Sequence, residues 1–387
     1  MPTWLVFLLV LSILVLVHEL GHFLAAKIFG IKVEEFAFGL PFTRPILRFK
    51  RGETQYSIYP LFFGGFVRLL GEETNVEIGS EDKDYGRDFW SRGKKQRLMV
   101  VLAGVVMNMV LALVSFGILY SMVGVPTQSK SKVTVVDVAA GSPAEAAGIK
   151  PNDRVVGVED KEIVSTDQFG RLMKSWSELE VNLTVERGPV TVLFEGIAEG
   201  QVETVKTVAK PREKPPEGQG SLGVTIIDYP YLEMTRCRVA SINCLGAIVE
   251  QGVRSAGVWI GRVVDGLRSI GKSLVAGKAP EGVSGPVGIY QLTGIVAAEG
   301  WLPLLELVAV LSVNLAVFNI LPIPALDGGR MLFIWLEYIL KRRIKAETEQ
   351  KVNSIGMTFL LTLMVLISLQ DVWRLGVFEW ARKLIGK

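Results

Sequence analysis

The sequence predicts a polytopic α-helical membrane protein of about four transmembrane helices, with a soluble α+β domain inserted between the second and the third. Three observations carry this prediction. Of the 387 residues, 49% are hydrophobic, and the mean hydropathy of +0.37 is too high for an ordinary soluble protein. Apolar runs long enough to cross a bilayer, at about 20 residues each, recur along the chain. Between the second and the third of them, from Thr127 to Pro211, the composition turns mixed and alternating, as in a domain bathed in water.

Charge narrows the partners. A net charge of +3 gives no case for nucleic acid. The basic residues cluster beside the apolar runs, so the partner they imply is the lipid bilayer. The two cysteines, Cys237 and Cys244, are read as free thiols. On one continuous helix their Cα atoms would stand about 10 Å apart, too far for a disulfide, which would need a bend in that segment.

The first span is Thr3–Phe29, with Pro2 placed to start it and Gly30 to stop it. It lacks a basic leader and its apolar run continues past a charged motif, so it reads as a retained helix and not as a cleaved signal. That motif, His18-Glu19-Leu20-Gly21-His22, contains both histidines of the chain. Positions i and i+4 share one helix face, so two imidazoles can hold one metal ion while Glu19 acts as general base on a water. A satisfied histidine pair at the membrane boundary is the plain alternative. Against it stands cost: three ionisable groups at the inner end of a lipid-spanning helix usually mark function.

The next segment, Ile31–Arg97, is dense in lysine and arginine, which predicts the cytoplasmic side. The N-terminus then lies outside and the histidines in the inner half of the bilayer. Within it, Gln55–Leu70 is aromatic and β-branched, with Gly64-Gly65 as a turn signal, and predicts a β-hairpin. It is either a small surface hairpin or one that dips into the membrane beside the histidines, where a substrate strand can pair with it. Leu98–Val123 is the second span, and Asn108 inside it reads as a hydrogen bond to a neighbouring helix.

In the soluble stretch, Lys132–Val138 predicts a strand. Ser142-Pro143-Ala144-Glu145 is a capping box opening a short helix that Gly148 ends. Strand Arg154–Val158, a helix over Asp167–Trp176, and strands Val181–Glu186 and Val190–Glu195 follow. Lys206–Gly220, rich in Lys, Pro and Glu, reads as a linker. Gly246–Gly277 is apolar at helical spacing but interrupted by Arg254, Arg262, Arg268 and Lys272. It predicts an amphipathic helix on the membrane surface, kinked near Gly257, with a true span as the alternative.

The third span, about Leu302–Leu321, runs into Asn319-Ile320-Leu321-Pro322-Ile323-Pro324-Ala325-Leu326-Asp327-Gly328-Gly329. Two prolines one residue apart cannot continue a helix. Asp327 then either caps a helix, pairs with Arg330, or supplies the third ligand that the histidine pair lacks. A second basic loop, 341–351, returns the chain to the inside, and Ile355–Leu369 begins the fourth span. The basic tail Arg374–Lys387 predicts an amphipathic segment at the interface. The chain thus divides at 1–126, 127–211, 212–300 and 301–387.

Two resemblances follow from these residues. The order of elements in 127–211, and above all the run from Gly141 to Asp153, resembles a circularly permuted PDZ domain, whose kind binds extended peptides or C-termini by strand addition. The His18–His22 motif in a first span, that insert, and the Asn319–Gly329 run in a third span together resemble the site-2 protease family of intramembrane zinc metalloproteases. The nearest type is the bacterial regulator-of-sigma-E protease with one PDZ domain. The resemblance implies one zinc ion bound by His18, His22 and Asp327, with Glu19 activating water. It implies that Asn319, Pro322 and Pro324 hold an unwound substrate segment and that Gly64, Gly65 and Phe66 engage it. It also implies a bacterial inner-membrane protein whose PDZ-like domain is extracytoplasmic, whose site faces the cytoplasmic side, and whose substrates are single-span membrane proteins such as an anti-sigma factor or a signal-peptide remnant. The rival reading is a silent membrane PDZ scaffold with a structural metal, for which Glu19 would be superfluous.

Overall fold

The structure is a computed structural model that describes residues 2–62, 64–72, 84, 86–199, 202–216, 218–235, 242–276, 285–344 and 346–374. They fall into two units, Met1–Gly117 with Val249–Lys387, and Ile118–Ile248.

The first unit opens with helix α1, Thr3–Ile28, behind an extended Pro2. Its end is fixed by Gly30, whose φ of +68° is the left-handed conformation glycine tolerates best. Four strands follow: β1 Val33–Phe38, β2 Leu47–Arg51, β3 Thr54–Ile58 and β4 Gly65–Leu69. They form one sheet in the order β2-β3-β1-β4. The expected hairpin over Gln55–Leu70 is therefore corrected: β3 and β4 do not pair, because β1 lies between them, parallel to β3 and antiparallel to β4. The reason is Glu35, a 4%-exposed carboxylate on β1. It accepts hydrogen bonds from Gln55 Nε2 at 3.0 Å, Ser57 Oγ at 2.5 Å, Tyr59 OH at 3.1 Å and Arg68 Nη1 at 3.2 Å, tying both neighbours to it. The hairpin is instead β2–β3, turning at Gly52. Helix α2, Lys94–Val123, comes next.

The second unit is built on β5 Val125–Val138, helix α3 Pro143–Ala146, β6 Arg154–Val158, β7 Lys161–Glu162, helix α4 Thr166–Ser175, β8 Val181–Arg187, β9 Val190–Leu193, β10 Gly196–Glu199, β11 Glu203–Ala209 and β12 Val224–Thr235. The capping box forms as the sequence predicts: Ser142 Oγ accepts from the Glu145 N–H at 3.1 Å, and Glu145 reaches back to the Gly141 N–H at 2.6 Å. The sheet runs β11-β8-β6-β5-β12-β10-β9, over a core of Val133, Val135, Val155, Phe169, Met173, Leu183 and Val185. Two sequence expectations are corrected here. Part of the supposed linker is strand β11, and β12 lies beyond the expected boundary at 211 yet pairs along most of β5. Pro230 and Asp228 within β12 disguise it, since both residue types are depleted in strands.

Among the described residues five helices follow: α5 Ile242–Val275, α6 Pro286–Glu299, α7 Trp301–Ile320, α8 Asp327–Leu340 and α9 Ala346–Arg374. Helix α5 is one 34-residue helix without a break at Gly257. Cys244, near its start, is disulfide-bonded. This corrects the free-thiol expectation, which weighed only a continuous helix through both cysteines against a bent segment; Cys237 lies outside the described residues, as does the tail beyond Arg374. Asp371 of α9 accepts the Gly285 and Gly288 N–H groups at 2.9 and 3.0 Å, capping α6.

Among the described residues four helices are long and apolar enough to cross a membrane: Thr3–Ile28, Lys94–Val123, Trp301–Ile320 and Glu347–Asp371. The protein is integral to the membrane, with β-sheet in both units.

Candidate metal centre and active site

Glycines let α1 and α2 approach at van der Waals range. A β-carbon on Gly21 would lie 2.3 Å from the Ala103 carbonyl oxygen, and one on Gly104 would lie 2.6 Å from His18 Cε1. The two imidazoles therefore rest on the backbone of α2. Behind them, the Val100 carbonyl oxygen is 2.9 Å from His22 Nδ1, and the Asn108 amide is 3.2 Å from His18 Nδ1. In front, the two Nε2 atoms are 3.1 Å apart.

Asp327 arrives from the far end of the sequence. After α7 the chain leaves the helix at Leu321, which is extended at φ −65°, ψ 140°. The Pro322–Pro324 segment turns through Ala325 at φ +75°, held by Asn353 Oδ1, which accepts the Ala325 N–H at 3.2 Å. Asp327 is then the first residue of α8, where the helix dipole favours a carboxylate. Gly328 and Gly329 are obligatory: their β-carbons would stand 1.9 Å from the Leu321 oxygen and 2.6 Å from the Ile323 oxygen. This packing sets Asp327 Oδ2 at 3.1 Å from His18 Nε2 and 3.3 Å from His22 Nε2.

The residues fit a divalent cation. One ligand atom from each of His18, His22 and Asp327 lies within 4.8 Å of the other two. A carbonyl only accepts, so the Val100 contact leaves the Nε2 of a neutral His22 as a lone pair aimed at a carboxylate oxygen. Acceptor facing acceptor is stable with a cation between them. Two imidazoles and a carboxylate are a common zinc donor set, and the order of chain elements that delivers them leaves an adjoining cavity for a water and a substrate.

That cavity holds about 280 Å³ and is lined by His18, Glu19, His22, Phe66, Val67, Asn319, Leu326, Asp327 and Arg330, among others. Glu19 borders β4 directly: a β-carbon on Gly65 would be 3.2 Å from Glu19 Cγ. On its other side β4 pairs only with β1 among the described residues, so it is a sheet edge. Of the residues singled out in the sequence, Asn319 and Phe66 line the cavity and Gly65 abuts Glu19, whereas Gly64 packs on Leu40 and Pro322 and Pro324 do not line it. Asn319 Nδ2 is 3.5 Å from His18 Nε2. Sequence reasoning gave no role at the site to Gly104, Val100 or Glu72. Glu72 is ion-paired with Arg330 and also accepts the Leu69 N–H at 3.3 Å, fixing the end of β4 to α8. A glycine four residues before Asn108 was the one available signal for the close crossing.

Comparison with known proteins agrees with this geometry. Residues 6–363 match the description of peptidase family M50. The chain is 30% identical to the zinc metalloprotease RasP of Bacillus licheniformis, over 97% of this chain and all of that one. It is 29% identical to the regulator of sigma-W protease RasP of Bacillus subtilis, over 96% of this chain and 99% of the other. A candidate zinc metalloprotease of Clostridium perfringens is 33% identical over 94% and 97% of the two chains. With four candidate spans, a His-His-Asp cluster and a match across nearly its whole length, the chain belongs to peptidase family M50, the intramembrane zinc metalloproteases of the site-2 protease type.

Proposed function

We propose that the protein hydrolyses a peptide bond within or beside the transmembrane segment of single-span membrane proteins, with His18, His22 and Asp327 holding zinc and Glu19 moving the proton. The observation that carries this assignment is the meeting of both Nε2 atoms and Asp327 Oδ2 beside Glu19, on a cavity edged by β4. Zinc supplies Lewis acidity to a water and to the scissile carbonyl. Glu19 takes the proton of the attacking water and delivers it to the departing amine nitrogen. Asn319, which lines the same cavity, donates its amide hydrogens to a substrate backbone carbonyl and orients that segment.

A substrate helix has its carbonyls already hydrogen-bonded, so attack requires local unwinding. The edge of β4, at Gly65-Phe66-Val67, offers free backbone partners to an unwound segment, and Ala325 and Leu326, which follow the Pro322–Pro324 break, line the same cavity. In this reading the β1–β4 sheet dips into the cytoplasmic side of the bilayer and α5 lies along its surface. The soluble unit, which we assign to about 127–235, is PDZ-like and extracytoplasmic, and selects trimmed substrates or their C-termini. The Cys244 disulfide supports an oxidising compartment for that end of α5. The membrane is the bacterial inner membrane, and an anti-sigma factor or a signal-peptide remnant has the form required.

The test is cleavage of a single-span reporter in proteoliposomes by wild type and by Glu19→Gln, each with and without a zinc chelator. Cleavage that needs both Glu19 and metal is the expected result. Retention of one zinc by both proteins, with no cleavage of several reporters including pre-trimmed ones, would favour a PDZ scaffold with a structural metal.

A further inference from the structure

The two histidine rings are held from behind by groups of different kinds. His22 Nδ1 faces the Val100 carbonyl, which can only accept, so the proton of a neutral ring sits on Nδ1 and Nε2 is left as a lone pair. His18 Nδ1 faces a side chain that can do either: the Asn108 amide, 3.2 Å away and 0% exposed. Its Nδ2 is turned to the ring, and its Oδ1 is buried without a hydrogen-bond partner. Nothing at the oxygen end therefore fixes which way the amide points, and the ring decides.

The two orientations have opposite consequences. With Nδ2 donating, His18 Nδ1 is the acceptor and the proton of a neutral ring sits on Nε2, aimed at the point shared with His22 Nε2 and Asp327 Oδ2. A ring in that state has no lone pair to give there. A half-turn of the amide keeps its shape and brings Oδ1 to Nδ1, which then carries the proton and frees Nε2. We infer that Asn108 is a positioning residue of the metal centre, its Oδ1 accepting the His18 Nδ1–H as the Val100 carbonyl accepts the His22 Nδ1–H. Both rings then present Nε2 to zinc, with their planes fixed and their basicity raised by the hydrogen bond behind. The inference rests on the assignment of His18 and His22 as zinc ligands.

The chain contains two histidines, so selective ¹⁵N-histidine labelling gives a spectrum of two rings. The zinc-loaded wild type in detergent should show both rings protonated at Nδ1 and metal-bound at Nε2. Asn108→Leu should still bind zinc, roughly 10–100-fold more weakly, with the His18 Nδ1 proton exchanging faster with solvent. Asn108→Asp, which can only accept from Nδ1, should bind zinc at least as tightly as wild type. A His18 ring metal-bound through Nδ1, or an Asn108→Leu protein with wild-type zinc affinity, would overturn the inference. His18→Gln separates the two levels: wild-type zinc affinity in that variant removes the ligand assignment itself, whereas its loss alongside an unaffected Asn108→Leu removes only the role of Asn108. Should Asn108→Leu fail to fold, the wild-type ring spectrum and Asn108→Asp decide.

Discussion

A β-carbon on Gly104 would stand 2.4 Å from Nε2 of His22. No rotamer adjustment of a ring already bonded to the Val100 carbonyl absorbs that overlap, so α2 must withdraw or the ring must turn. Gly104→Ala is expected to lower zinc content well below one per chain and cleavage by at least about 100-fold, since misplacing a reacting group by about 1 Å costs that much. Val106→Ala, at an exposed position of the same helix, is the matched control and should change neither. Metal analysis and reporter cleavage on the purified pair check this.

Gly65 and Gly52 make a second contrast on one sheet. A side chain at Gly65 meets Glu19 Cγ and Val15 Cγ1, each at 3.2 Å, while Gly52 has nothing within 4 Å but a φ of +65°. Gly65→Val should push β4 off Glu19 and reduce kcat/KM about tenfold or more, without loss of zinc. Gly52→Ala should cost about 1 kcal/mol of stability through its left-handed backbone and leave cleavage unchanged. Kinetics and thermal unfolding, measured on both variants, separate the two effects.

Glu35 binds the sheet from within. Glu35→Ala strands the Ser57, Tyr59 and Gln55 donors, and should destabilise the first unit by about 3 kcal/mol, at about 1 kcal/mol for each donor left without its acceptor. Limited proteolysis should then cut within 33–69 first, while the second unit stays intact.

Acid sensitivity has an identifiable contributor. Lys27 at 2.7 Å and Arg87 at 2.6 Å hold the Glu53 carboxyl below its ordinary value. A carboxylate with a lowered folded pKa contributes stability that is complete above the unfolded value and is lost as pH falls through the folded one. Glu53→Gln should therefore reduce the thermal midpoint near neutral pH slightly and flatten its fall below about pH 4.5. A midpoint whose acid slope matches wild type would exclude this contribution.

Asn319 offers a substrate-side test. Asn319→Leu should impair cleavage of reporters with stable transmembrane helices more than of reporters carrying helix-breaking residues, because the amide is needed most where the backbone resists unwinding. Equal losses on both reporters would remove that role.

What could be read from the chain followed the range of the physics. The His18–His22 spacing is local helix geometry, and Pro322 and Pro324 announce a broken helix by covalent structure alone. The sheet was harder. Inserting β1 between β3 and β4 is a non-local pairing, and its organising residue, Glu35, looks like a surface charge until its four donors are in place. Strand β12 was hidden by Pro230 and Asp228. Asn108 was legible as a polar group in a span, but only the fold shows that the neighbour it meets is His18. The Cys244 disulfide escaped because sequence spacing alone does not say whether the segment from Cys237 to Cys244 is straight or bent.

As the proposed ligand set, the cluster of His18, His22 and Asp327 also fixes when in its own synthesis the enzyme can begin to work. Its first two members are made before the soluble unit, and the third follows only after that unit and α7 have been made. At roughly 5–20 residues per second that interval is tens of seconds. On the assigned ligand set, a half-finished nascent chain carries Glu19 and both histidines into the bilayer yet lacks the carboxylate that completes the site. An incomplete translation product is then catalytically inert, and cleavage begins only once the soluble unit has already been made.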